Sequence, residues 1–406
     1  GSSALINNNS VFNLHEGASF GPSYGYSGQM NNNGTLTKNG AQTLAFGLLL
    51  NNLSGALLQV DEGTLEVGRL DNAGAVFSAR GATVTIEDGS QLAGGTLAGS
   101  GILHIFGTGW YLTAPLNTNG ITLDIEGNLG GDPGATLTID GTANWLSGEI
   151  GVATLVGAGA TLNIQGYGYR TLSAGLTNGG TVNLSSSFSA YGDIVNNGLF
   201  NLNGDGGSFY GSGDHTFTNN GTLHQSASYS STIGAAAVNN GSIVIDSAPL
   251  YFYNGLDNNN AITIAAGASL NLPGASSFNA GGSVAGAGSI ETSGGLALAI
   301  DFNFSGEMFT LLGDLTGPGT LHIASAMTWN GGHVQTDVLI DNGATLVIGY
   351  NGGGNNSKQL KKTAPATGGS DPAEAVAAPV QTALMSSYGQ TLSAVLTNNG
   401  TTSQQT

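Results

Sequence analysis

Acidic residues carry the first candidate chemistry in this chain. Asp124 and Glu126 flank Ile125, while Asp61–Glu62 and Glu87–Asp88 stand as adjacent pairs. On an extended strand, residues two apart leave the same face about 7 Å from one another. That separation suits an inverting glycosidase pair or, with more oxygen ligands, calcium. The same spacing arises in any strand with two outward polar positions, so a solvated face is the simpler reading. The six histidines (His15, His104, His215, His224, His322, His333) show no HxH or HExxH spacing for a metal. His104, His224 and His322 fall at polar positions where a strand would point them outward. The run GSGDHTF from Gly211 has a faint likeness to glycine-rich calcium repeats, which bind as arrays. No catalytic residue, metal or cofactor is expected.

Charge narrows the partners. Lys plus Arg number 7 against 25 Asp plus Glu, a net charge of −18, so a phosphate backbone would be repelled and nucleic acid is excluded. A lyase acting on acidic polysaccharide needs cations to stabilise developing charge. Before residue 350 there are only Lys38, Arg69, Arg80 and Arg170, scattered in sequence. With no cysteine, disulfides and thiolate metal sites are absent. No run approaches the roughly 18 apolar residues of a membrane span, and no membrane insertion is expected. Thr-x-Thr pairs at Thr35, Thr83, Thr136 and Thr216 are too far apart for the consecutive ranks of an ice-binding face.

Tyrosines supply the most specific candidate. Tyr169, Tyr191, Tyr210, Tyr229 and Tyr251 recur at spacings of 22, 19, 19 and 22 residues. In PLYFYNGL, alternation sets Leu250 and Phe252 against Tyr251 and Tyr253, and in GSFYG it sets Phe209 against Tyr210. Two arrangements follow: an exposed stripe able to stack on sugar rings or meet another subunit, or an internal stack filling a wide coil.

The elements that must position these residues are written in a recurring phrase. It reads NGGTVNL from Asn178, NNGLFNL from Asn196, NNGTLHQ from Asn219, NNGSIVI from Asn239 and NNNAITI from Asn258. Gly180, Gly198, Gly221, Gly241 and Asn260 fill the same slot, 18, 23, 20 and 19 residues apart. A period near twenty marks a solenoid whose repeats bury their apolar edge by stacking. The alternating triplet is a strand, with pairs such as Leu123 and Ile125, or Leu270 and Leu272, pointing inward. The preceding Asn-Gly pairs read as turns that tolerate positive φ, and asparagines stacked in register can form side-chain ladders. Similar phrases such as GATLTI from Gly134, GATLNI from Gly159 and GATLVI from Gly343 extend the pattern. The expected fold is all-β: a parallel β-helix solenoid of about twenty residues per coil over 1–350. Uneven phrase spacing at 137 and 162, and at 290 and 321, predicts irregular coils there. Trp145 in NWLSGEI and Trp329 in TWNGGHV hint at a longer duplication.

Composition changes after Tyr350. Residues 351–379 hold NGGGNNSKQLKK and a Pro-rich run, which reads as a linker. Beyond it lies a docking or capping segment, 380–406. Val380, Leu384, Tyr388, Leu392 and Val395 recur at helical spacing and predict an amphipathic helix over 380–396. The competing reading is an extended segment, since Gly389 weakens the helix and LTNNGTT resembles the repeat phrase. Docking onto a neighbouring copy is favoured, which would build a homopolymeric filament.

The run of NNGT-apolar-x-apolar phrases, with GATL-x-I and W-x-x-G or W-x-G-G, resembles exported bacterial β-helix proteins: repeat adhesins, autotransporter passenger domains and filamentous-haemagglutinin-like proteins. The similarity covers roughly residues 5–350 and lies in repeat style. It implies a right-handed parallel β-helix at the cell surface or outside the cell, with no catalytic residues. No membrane barrel follows the linker. APATGG from Ala364 resembles a sortase signal loosely but lacks its leading Leu and apolar tail. The N-terminal GSSALINNNSVFNL is already in repeat phrase, so the chain reads as a mature or trimmed product without its signal peptide. The expected role is a non-catalytic extracellular structural or adhesive rod that self-assembles through its ends and tail. The alternative is a surface adhesin binding glycan through the tyrosines, and the third reading is a polysaccharide-degrading enzyme.

Overall fold

A computed structural model describes residues 4–18, 20–21, 28–87, 89–211, 215–349, 391–399 and 401–404. Every regular element among them is a β-strand, and the strands pair in parallel with partners about one coil away. The chain divides into two compact units, Gly1–His215 and Thr216–Thr406, each a parallel β-solenoid.

In the first unit each coil contributes to three strand columns. One coil runs Thr161–Ile164, Arg170–Leu172 and Leu176–Asn178, and the next runs Thr181–Leu184, Phe188–Ala190 and Ile194–Asn196. Leu162 and Ile164 lie over Val182 and Leu184, which lie over Phe200 and Leu202. All six are at most 1% exposed, so the alternation read from the sequence is the alternation of the core. Leu123, Ile125, Leu270 and Leu272 are equally buried. Earlier coils fuse the first two columns into long strands, such as Thr43–Asn52 and Ile102–Leu112, whose registers slip at bulges.

Of the regions expected to be irregular, the strand Thr142–Ile150 does slip, its register against Thr122–Gly131 shifting between Trp145 and Ser147, while the other pairings hold. Thr136–Ile139 pairs with Ala153–Val156, and Ser289–Thr292, Phe309–Leu311 and Ala326–Trp329 follow one another in one column. The uneven spacing has another cause. In the first unit the phrase at Gly134 builds a third-column strand and the one at Gly159 a first-column strand; in the second unit the one at Gly343 builds the strand after Val338–Ile340 in its coil. One phrase serves different strands of a coil.

Turn chemistry also differs from expectation. Gly180, Gly198 and Gly241 do not adopt positive φ; a Cβ there would lie 2.3, 2.1 and 2.0 Å from a carbonyl oxygen of the preceding coil. Close stacking selects these glycines. Left-handed positions occur in the GATL phrases, as at Gly159 with φ of 82° and open space around it, and at some Asn-Gly pairs, as at Asn119 and Gly120 with φ of 46° and 82°.

Buried asparagines close the strands in register. In the first unit Asn8, Asn32, Asn52 and Asn72 form one ladder, each Nδ2 donating to the next Oδ1 at 2.7–2.8 Å. Asn178 donates to Asn196 in a second ladder at 2.7 Å. In the second unit Asn219 donates to Asn239, and Asn239 to Asn258, at 2.7 Å each. The last two named ladder residues, Asn239 and Asn258, are 1% and 0% exposed. Asn258 lies over Phe278, where the ladder stops and its Nδ2 is left without a partner.

The C-terminal segment corrects the helical expectation where it is described. Thr391–Leu392, Leu396–Asn398 and Thr401–Gln404 are strands that pair with His333–Val334, Val338–Ile340 and Thr345–Ile348 of the same chain. Ladder hydrogen bonds on a waiting strand edge outweigh the weak helical periodicity, and LTNNGTT behaves as a repeat phrase. In this structure these strands extend the chain's own coil, with Leu392 in the ladder, Leu396 buried and Val395 46% exposed. Val380, Leu384 and Tyr388, like the 351–379 linker, lie outside the described residues.

Candidate functional site

The acidic candidates are engaged with their neighbours in adjacent coils. Asp124 accepts from Asn144 Nδ2 at 2.7 Å, and Asn163, Asn183 and Asn201 continue this outward ladder at 2.8–2.9 Å. Glu126 meets His104 Nε2 at 3.2 Å. The two carboxylates face different partners rather than a shared cleft. Asp61 accepts from Gln59 at 2.7 Å, and the backbone carbonyl of Glu62 accepts from Lys38. Asp88 and residues 212–214 of the GSGDHTF run lie outside the described residues. His224 pairs with Asp246 at 2.6 Å and His333 with Asp314 at 3.0 Å, again between coils. Among the described residues no three His, Asp or Glu gather as a metal site.

Two of the four cations turn inward, which their isolation in the sequence concealed. Lys38 is 1% exposed and donates to the carbonyls of Gly40, Gln42 and Glu62. Burial lowers its pKa, opposed by the charges of Glu16 and Glu62. Arg170 is 4% exposed, and burial lowers its pKa too. Its guanidinium bonds the carbonyls of Trp145 at 3.2 Å and Leu146 at 2.7 Å in the coil before. It also bonds Gln165 and Gly168 in its own corner and Ser187 in the coil after. All its bonded partners are neutral carbonyls, so the side chain clamps three successive coils at one corner.

In the coils that carry Tyr169, Tyr191 and Tyr210, the aromatic residues divide between inside and outside. Inside the first unit, Trp145, Phe188 and Phe209 form the internal stack, with ring centroids 5.6 and 5.4 Å apart. The tyrosines stand outside: Tyr169 is 99% exposed, Tyr191 46% and Tyr210 56%. All three hold outward positions of the second column, before, after and within its strands. In the second unit Tyr229 and Tyr253 are exposed, and Tyr251 is half-buried with its ring 6.1 Å from that of Tyr253.

Tyr169 and Tyr210 border a cleft of about 520 Å³ in the first unit. Corner lengths explain it. Between the first and second columns the chain takes 165–169 in one coil, only 185–187 in the next, and 203–208 in the one after. A short corner between two longer ones leaves a notch. Tyr167 and Tyr169 rise from one wall, Asp205 and Tyr210 from the other, and the serines of 185–189 form the floor. The sequence reading missed Tyr167, Asp205 and the serine run. The available signal was that SSS from Ser185 follows GYGYR from Gly166 by about one coil.

Comparisons of this chain with protein-family models, with curated proteins and with solved structures return no match.

Proposed function

We propose that this chain is a non-catalytic structural and adhesive protein of the cell exterior, making its contacts through the outward tyrosines. One observation carries the reading: Trp145, Phe188 and Phe209 fill the coil, while Tyr169, Tyr191 and Tyr210 are left 46–99% exposed along one side of it. Large aromatic surface held on a rigid sheet forms contacts at low entropic cost. The likeness in repeat style to exported β-helix proteins supports the location, and the low charge suits an extended, contact-making surface.

Attachment of protein-coated beads to polysaccharide- and cell-derived surfaces under flow tests the reading. The Tyr169/Tyr191/Tyr210 triple alanine variant loses most attachment while unfolding like the parent, because exposed side chains contribute little to folding. Unchanged attachment by that variant overturns the proposal. A second reading, favoured by exposed tyrosines in both units, is self-association of copies into a filament or surface layer. Sedimentation that collapses to monomer on the same substitutions identifies it.

A further inference from the structure

We infer that the notch over the corner 185–187 is a binding site for a neutral oligosaccharide. The inference rests on the adhesive reading above and gives it a ligand class.

Four features converge. The volume, about 520 Å³, falls in the range of roughly 300–1,000 Å³ typical of small-ligand sites. Tyr167, Tyr169 and Tyr210 line it with rings that are 109%, 99% and 56% exposed. Such rings present faces to the C–H side of a pyranose, whose opposite edges carry hydroxyls. Beneath them the hydroxyls of Ser187 and Ser189, and on the wall the carboxylate of Asp205, are uncommitted to other side chains among the described residues. A carboxylate and hydroxyls lining one notch can accept from and donate to sugar hydroxyls.

Charge decides between neutral and acidic sugars. The cation at the site, Arg170, lies beneath the surface with its N–H groups turned to five backbone carbonyls. It has no donor to offer a ligand carboxylate. Asp205, exposed on the wall, repels one, and the chain's net charge of −18 adds to that. An anionic glycan would meet repulsion without a compensating bond, whereas a neutral sugar meets acceptors for its hydroxyls.

The floor is held rigid for this purpose. Ser186 Oγ donates to Gly166 O at 2.8 Å across the notch, and Ser185 Oγ to Ile164 O at 3.2 Å. With Arg170 clamping the same corner and the Phe188–Phe209 stack beneath, the floor needs little ordering on binding, and the exposed rings of Tyr167 and Tyr169 are what a ligand must fix.

The test is a glycan array followed by calorimetric titration of the neutral oligosaccharide that binds best. Tyr169→Ala and Tyr210→Ala each weaken affinity about tenfold, as loss of a stacking face predicts, and Tyr169→Trp restores it. Asp205→Asn weakens it about tenfold through loss of a charge-assisted bond. Tyr191→Ala, outside the notch, and Tyr253→Ala, in the other unit, leave affinity unchanged. No neutral glycan bound, binding of acidic glycans alone, or equal effects of Tyr191→Ala and Tyr169→Ala each overturn the inference. Bead attachment that still depends on the tyrosines in any of those cases preserves the adhesive reading, so the two fail separately.

Discussion

Asn31 and Asn32 are neighbours in one strand, each laddered to the coils on both sides, one half-buried and the other fully buried. Asn32 is 0% exposed: it accepts from Asn8 at 2.7 Å and donates to Asn52 Oδ1 at 2.8 Å and Leu57 O at 3.0 Å. Asn31 faces outward, donating to Asn7 at 2.9 Å and accepting from Asn51 at 2.8 Å. Asn32→Ala removes three buried bonds, a loss of about 3 kcal/mol if each is worth about 1 kcal/mol net. Water cannot reach the groups left behind, so their desolvation raises the cost. Asn31→Ala frees groups that water can satisfy, and its cost stays below about 1 kcal/mol.

Hydrogen exchange is the right assay, because solenoids need not unfold as one cooperative unit. The amides to follow are Asn33, bonded to Asn8 O, and Leu53, bonded to Asn32 O. In Asn32→Ala both exchange faster by about a hundredfold, the equivalent of 3 kcal/mol, and in Asn31→Ala by less than about tenfold. Equal effects of the two substitutions would refute the claim that burial gives the inward ladder its strength.

Two further outcomes follow from the charged groups. Arg170→Lys keeps the charge but offers three donors in place of the guanidinium's fork; the first unit loses at least about 3 kcal/mol in chemical denaturation, and a loss under 1 kcal/mol would show that the clamp is dispensable. Asp314 is held below the ordinary aspartate value, first by the backbone N–H of His333 at 2.8 Å and then by its ring at 3.0 Å. A carboxyl depressed on folding adds stability that is complete above the unfolded value, near pH 4, and is lost as pH falls through the folded value. NMR titration of the Asp314 carboxyl therefore finds it below that value, and His333→Ala raises it part of the way; a carboxyl titrating at or above the ordinary value contradicts the assignment.

The coil was legible because burial repeats at the chain's own period. Leu162, Val182 and Phe200 announce one column by alternation alone. Which column a phrase builds was not legible, since GATLTI, GATLNI and GATLVI are chemically alike and the choice depends on corner lengths. Tyr169 and Tyr210 could be found by spacing, and Phe209 beside Tyr210 even pointed to the correct side. Arg170 could not be found. Its partners Trp145, Leu146 and Ser187 are 25, 24 and 17 residues away, and all are backbone carbonyls, which leave no mark on the sequence. The end of the tail misled because Leu392 and Val395 continue a helical spacing, while an unpaired sheet edge rewards any chain that can extend along it.

The ladders and the notch have a common origin. A repeat that places like residues above like spends polar side chains on each other: Asn144 on Asp124, Asn163 on Asn144, Asn183 on Asn163. Groups paired in this way have little left for a ligand, so a regular coil is chemically quiet however polar its surface. Free capacity arises where adjacent coils differ in length, because residues at a corner then lose the partner that register would supply. The change from 165–169 to 185–187 to 203–208 is such a place, and there the side chains of Ser187 and Asp205 remain uncommitted beside exposed aromatic rings. Lengthening 185–187 to match its neighbours should therefore restore register, fill the notch and abolish sugar binding while leaving the flanking strands paired. Binding that survived such an insertion would place the ligand on the regular face instead, and the link between irregular corners and function would be lost.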